Sequence, residues 1–176
     1  LSTNMQEQVA SGRLDIAVLY NARPVPGLEI APLAMDELVL VQSARAPRHA
    51  PPGTPIGLPE LARLPLVIPS RPNAIRMHVE HQLAALGVQP QVALEIDGVA
   101  AILDLVADGA GCAVLSRHAL AAGARPAIFQ LRSIETGPGQ SLRIPLFTAL
   151  SPLRPATGAQ RAVLALLQEL APQYLG

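Results

Sequence analysis

The chain has 176 residues, 50% of them apolar, enough for a sizeable core without disulfide or metal staples. Its 13 basic residues balance 13 acidic ones with no basic run, and its four aromatics, Tyr20, Phe129, Phe147 and Tyr174, are too few for a base-stacking platform, so a nucleic-acid surface is excluded. Cys112 is the single cysteine, which rules out an internal disulfide and a cysteine metal cluster, and no apolar run approaches a membrane span.

The opening, LSTNMQEQVASGRLD, has neither the basic start nor the apolar stretch of a signal peptide, so a cytoplasmic protein is expected. Met5 and Val9 stand four apart before Gly12 and read as the end of a helix. With no initiating Met, this points to part of a longer protein. Residues 14–20, LDIAVLY, suit a buried strand, and residues 28–31 and 37–41 suit two more. The proline-rich stretch 45–55 reads as a loop or crossover.

A second unit follows. One or two helical turns are expected over 58–63, a short strand over 66–68, and a helix over 75–86 that Gly87 ends; Ser70 and Asn73 both suit its N-cap. In residues 91–96, Val92, Leu94 and Ile96 alternate with Gln91, Ala93 and Glu95 in the manner of a strand. A helix beginning after Gly98, with Val99, Ile102, Leu103 and Val106 on one face, leads to a strand over 112–115. A short helix over 117–122, strands over 127–131 and 142–150, and a final helix ending before Pro172 complete the chain. Strands alternating with helices indicate an α/β fold with largely parallel sheets.

The Gly109-Ala110-Gly111 segment invites comparison with a phosphate-cradling loop. A dinucleotide loop precedes its helix, because the backbone N–H groups and positive dipole that hold phosphate lie at the helix N-terminus. Here the glycines follow the helix and meet its negative end. Gly109 therefore reads as a left-handed cap and Gly111 as a point of close passage into the next strand. No cofactor is expected.

Catalytic constellations are missing. His78 and His81 are three apart, which fits neither zinc-protease helix pattern, and they read as a solvated helix face; His49 and His118 read as surface residues. Ser11, Ser43, Ser70, Ser116, Ser133 and Ser141 all lack the G-x-S-x-G turn, and Ser116 reads as a helix cap. Cys112 lies in an apolar run as a small buried hydrophobe. Neither an enzyme nor a metal site is expected.

Two strand-to-helix turns carry more weight. Ser70-Arg71-Pro72-Asn73 presents a hydroxyl, an amide and free N–H groups at the carboxyl end of a strand, where open α/β sheets bind ligands, and Arg71 and Arg76 suit a small anion. Glu95-Ile96-Asp97-Gly98 is the second such turn, with Asp97 either an ordinary N-cap or ligand-facing.

SGRLDIAVLY, APLAMDELVLVQ, PLVIPSRPNAIR and EIDGVAAILDLVADGAGCAVLS, in that order, resemble the effector-binding domain of LysR-type transcriptional regulators over nearly the whole chain. PSRPNAIR and EIDGVAAIL look closest to that family's regulators of nitrogen assimilation. The resemblance implies two Rossmann-like lobes joined by two crossover strands, similar to periplasmic binding proteins, with residues 1–44 and 145–176 forming lobe I and 45–144 lobe II. It implies a small-molecule effector in the cleft, contacted here by Ser43, by Ser70, Arg71 and Asn73, and by Asp97 with Gly98. An anionic effector would be opposed at Asp97 unless the backbone binds it. It further implies a homodimer or tetramer, and DNA binding only through an N-terminal winged helix-turn-helix that, like the domain's first strand, is absent from this sequence. A periplasmic-type solute-binding protein for a small anion is the alternative.

Overall fold

A computed structural model describes residues 2–46, 53–121, 126–153 and 156–175. The proline-rich residues 47–52, with His49, and residue 122 at the end of the helix expected over 117–122 lie outside the described residues. In chain order the elements are α1 (Ser2–Ala10), β1 (Ile16–Tyr20), β2 (Glu29–Ser43), β3 (Ile56–Gly57), α2 (Leu58–Leu61), β4 (Pro65–Ile68), α3 (Ala74–Ala84), β5 (Gln91–Glu95) and α4 (Val99–Ala107). They continue with β6 (Ala113–Ser116), α5 (Arg117–Ala121), a 3-10 turn (Pro126–Ile128), β7 (Phe129–Gly137), β8 (Gln140–Ser141), β9 (Arg143–Leu150) and α6 (Gly158–Leu175). The chain forms two units, Leu1–Asp36 with Ile144–Gly176, and Glu37–Arg143, so β2 and β9 are the strands that pass from one to the other.

In the first unit β1 runs antiparallel to β9, from Ile16 opposite Leu150 to Tyr20 opposite Leu146, and β9 in turn neighbours β2. The inward residues of β1, Ala17 and Leu19, join Val9 of α1 and Ala149 of β9 in a small core, with Met5, Leu14, Leu28 and Ile30 packed around it. Gly12 ends α1 with φ +68°, its N–H reaching the carbonyl of Val9 at 2.9 Å while that of Arg13 reaches Gln8 at 2.8 Å. That pair of bonds satisfies carbonyls the helix leaves open.

Two expectations change in this unit. Residues 29–31 and 37–41 belong to one 15-residue strand, with Pro32 in its exposed first half, outside the stretch 38–43 that pairs with β6 and β7. Helix α6 also runs past Pro172, which sits in its last turn on an exposed side where water can replace the missing hydrogen bond.

The second unit is built on β4. It pairs in parallel with β5 on one side, and on the other exchanges backbone bonds with Cys112, whose N–H reaches the carbonyl of Pro65 at 2.9 Å and whose carbonyl accepts from Val67 at 2.8 Å. Helices α3 and α4 connect these parallel strands. Sheets were expected to be largely parallel, yet β2 pairs antiparallel with β6 and with β7, and β7 with β8; only β3 joins β7 in parallel. The reason is that β2 enters from the other unit instead of through a strand-helix-strand crossover. Val39, Val41, Val67, Ile102, Val106 and Leu115 form the core, so most of the apolar stripe of α4 packs on the sheet while Val99 stays exposed. β5 is the exception among the strands: all five of its residues are exposed despite their alternating character.

Candidate functional site

Because β4 and β5 are parallel, the turns that leave their carboxyl ends lie at one edge of the sheet, and Ile68 stands opposite Glu95 in the register. The ladder continues one step further through the N–H of Ile96, which donates to the carbonyl of Ile68 at 2.9 Å. Beyond it the Ser70 N–H donates to Asp97 Oδ1 at 3.0 Å, which ties the turn before α3 to the turn before α4. Asn73 is the N-cap of α3, as its residue type suggests, and its Oδ1 accepts from the N–H groups of Ile75 and Arg76 at 3.0 and 3.1 Å. Ser70 is not the cap.

Asp97 is not a helix cap either. Gly98 holds that position in α4 with φ +97°, a conformation that favours glycine, and no side chain among the described residues caps the helix. The carboxylate of Asp97 therefore serves the neighbouring turn.

The two arginines expected to supply charge to a ligand are both engaged within the protein. Arg76 is only 8% exposed and donates to Glu80 Oε1, to Glu95 Oε1 and to the carbonyl of Pro69, each at 2.9 Å. It acts as a strut that joins α3, the end of β5 and the first residue of the Ser70 turn. Arg71, with its side chain 61% exposed, pairs with the same Glu80 oxygen at 2.9 Å. Burial pushes the Glu80 carboxyl up, but the two guanidiniums outweigh it and hold the group below its ordinary range.

Ser43 lies elsewhere. Its hydroxyl donates to the carbonyl of Ala107 at 3.2 Å and accepts from the Arg45 N–H at 3.3 Å, which places it at the C-terminal end of α4. A nine-residue helix is about 14 Å long, so the structure brings Ser70, Arg71, Asn73, Asp97 and Gly98 together and leaves Ser43 apart. At that same end Gly109 has φ +84°, with its N–H bonded to Val106 and that of Ala110 to Leu105, the two bonds of a left-handed helix cap. A Cβ on Gly111 would stand 2.5 Å from the Pro65 carbonyl oxygen, so the close passage requires glycine.

Four polar arrangements were not legible in the sequence. Arg117 holds Glu37 through both carboxylate oxygens, and the Ser133 hydroxyl donates to Glu37 Oε1 at 3.1 Å. Arg132 donates to the carbonyls of Thr54 and Pro55 and to Glu60. Asp36 is wholly buried; it accepts the Tyr20 hydroxyl at 2.7 Å on Oδ2, while Oδ1 has no hydrogen-bond partner among the described residues. His78, expected on a solvated face, is partly buried with Nε2 at 2.9 Å from the Arg143 carbonyl, and burial lowers its pKa. Such partners lie up to 96 residues apart, beyond the reach of any helical or strand period. Cys112 is buried as expected, and desolvation pushes its thiol up to about 12. Among the described residues no group of three or more His, Cys, Asp or Glu is placed to hold a metal ion, and no helix is long and apolar enough to cross a membrane.

Comparison with known proteins gives a consistent result. The family model described as LysR substrate binding domain matches residues 1–172. The nitrogen assimilation regulatory protein nac of Klebsiella aerogenes is 28% identical over 163 residues, covering 92% of this chain and 52% of that protein. Its counterpart from Escherichia coli (strain K12) is 30% identical over 115 residues, 65% of this chain and 36% of the relative. The chain thus spans about half or less of the curated relatives it matches. Among solved structures, the regulatory domain of CcmR from Synechocystis PCC6803 in complex with 2-PG superposes with TM-score 0.79 at 17% identity, over 96% of this chain and 79% of that one. The BenM effector binding domain with benzoate gives 0.79 at 17% identity, over 97% and 75%. These two likenesses establish the fold.

Proposed function

We propose a function from the premise that this chain belongs to the LysR substrate binding domain family: it is the effector-sensing domain of a transcriptional regulator. The observation that carries the reading is the bond between Ser70 and Asp97, which joins two strand-to-helix turns at the edge where open α/β sheets receive ligands. We place the effector on this pair of turns, with Ser70, Arg71, Asn73, Asp97 and Gly98 as its contacts and Ser43 as a more distant contributor at the far end of α4. Binding would shift the population of domain conformations by no more than the effector's difference in affinity between them. Contact with DNA is assigned to a part of the regulator outside this chain. The bacterial regulators it resembles support a cytoplasmic protein.

Self-association is part of the proposal. β5 is exposed along its length, Val92 and Leu94 are 40% and 42% exposed, and Val99 at the start of α4 is 45% exposed, an apolar edge that suits a second copy of the chain.

The test is thermal-shift screening of the domain against a metabolite library, followed by operator binding of the full-length regulator with each hit. A saturable rise in melting temperature paired with a change in operator affinity supports the sensor reading. No hit, from a regulator that still controls its operator, would reduce the domain to dimerisation alone.

A further inference from the structure

The position of the Asp97 carboxylate bears on which class of ligand the paired turns accept, and the argument rests on the placement of the effector given above. Much of what was expected there to attract an anion is already used. The Ser70 N–H is bound to Asp97, the Asn73 carboxamide oxygen is turned inward on the α3 N–H groups, and the Arg76 guanidinium is divided among Glu80, Glu95 and Pro69. Arg71 is paired with Glu80. The local balance is three carboxylates, Glu80, Glu95 and Asp97, against two guanidiniums.

We propose that Asp97 is a specificity-determining residue that occupies the anion position of this site with a carboxylate of its own, so that the site refuses anionic effectors and takes a neutral or cationic molecule rich in hydrogen-bond donors. A single negative oxygen at 3.0 Å from the Ser70 nitrogen both fills the donor and repels a second anion. Among the described residues the second oxygen of Asp97 and the hydroxyl of Ser70 remain to accept from a ligand donor. Discrimination of this kind arises from repulsion of the wrong ligand as much as from attraction of the right one.

The probe is inorganic phosphate, titrated at constant ionic strength while the backbone amides of the whole chain are followed by ¹⁵N-resolved NMR. In the unmodified protein the amides of Ser70, Asn73 and Gly98 are expected not to respond. In Asp97→Ser, which removes the carboxylate and frees the Ser70 N–H, they should shift saturably, with phosphate bound at least about tenfold more tightly. Asp97→Asn keeps the shape and the acceptor while removing the charge; it should fall between the two and serves where the serine variant is poorly folded. Phosphate binding to these amides in the unmodified protein overturns the inference but leaves the placement of the effector standing. Failure of both variants to gain phosphate also overturns it. If the variants gain phosphate while every neutral or cationic hit from the metabolite screen binds elsewhere, the placement of the effector fails and the role of Asp97 as an internal anion stands.

Discussion

Arg117 donates from Nε to one carboxylate oxygen of Glu37 at 2.6 Å and from Nη2 to the other at 3.1 Å, fastening the start of α5 to β2 just inside the second unit. The guanidinium and the Ser133 hydroxyl overcome the cost of burial and hold the Glu37 carboxyl below its usual value of 4.5. A depressed carboxylate contributes stability that is fully present above 4.5 and is lost as pH falls through the folded-state value. Arg117 is 42% exposed, so solvent screening limits the pair to about 1 kcal/mol. Urea unfolding should show Glu37→Gln less stable than the parent at pH 7, with the difference shrinking as pH is lowered below 4.5.

Arg76 should be far more sensitive than Arg71, although both are arginines bound to Glu80. Removing the 8%-exposed guanidinium leaves Glu80 partly buried and releases the Pro69 carbonyl, so Arg76→Ala is expected to cost about 3 kcal/mol. Arg71→Ala, at an exposed position, should cost less than about 1 kcal/mol. Equilibrium unfolding of the two variants decides the matter, and equal costs would refute the strut.

His78 gives the domain a pH response near neutrality. Burial lowers its pKa from the ordinary 6.5, against the opposing hydrogen bond to Arg143 and with a small push from the neighbouring charge of His81. The unfolded chain therefore takes up a proton first. Stability is complete above 6.5 and declines as pH falls from there toward the folded-state value. Melting temperatures measured between pH 7.5 and 5 should show this decline in the parent and its loss in His78→Gln.

Much of the fold was legible because its signals are local. The apolar spacing of α4, the glycine that ends it and the asparagine that caps α3 each act within a few residues; the first two stand where the sequence put them, and Asn73 is one of the two caps it offered. Signals that depend on a distant partner were not. Alternation in β5 describes a pleat but says nothing of whether either face is covered, and both faces are open. Pro32 resembles a strand break until the pairing shows that its exposed half of β2 lies outside the ladders to β6 and β7. At the site the two turns were recognisable by residue type, whereas the bond that joins them spans 27 residues and the double use of Glu80 depends on the packing of α3 against the Ser70 turn.

Gly111 and Cys112 pass close to the backbone of Pro65. Gly111→Ala would drive a methyl group against the Pro65 carbonyl, a backbone atom that cannot rotate away, and should cost about 2–4 kcal/mol in thermal or urea unfolding. Cys112 is 3% exposed, with a thiol pushed up to about 12, so the native protein should resist thiol reagents at pH 8 and react only on unfolding. Rapid labelling of the folded protein would contradict the buried placement.

We propose that a small molecule binds where Ser70 and Asp97 meet. The most direct test is a backbone-amide NMR titration of the domain with a metabolite that raises its melting temperature. The account predicts saturable shifts concentrated at Ser70, Asn73, Asp97 and Gly98, abolished by Asn73→Ala in a variant that still folds. A stabilising ligand whose shifts leave both turns untouched would contradict it.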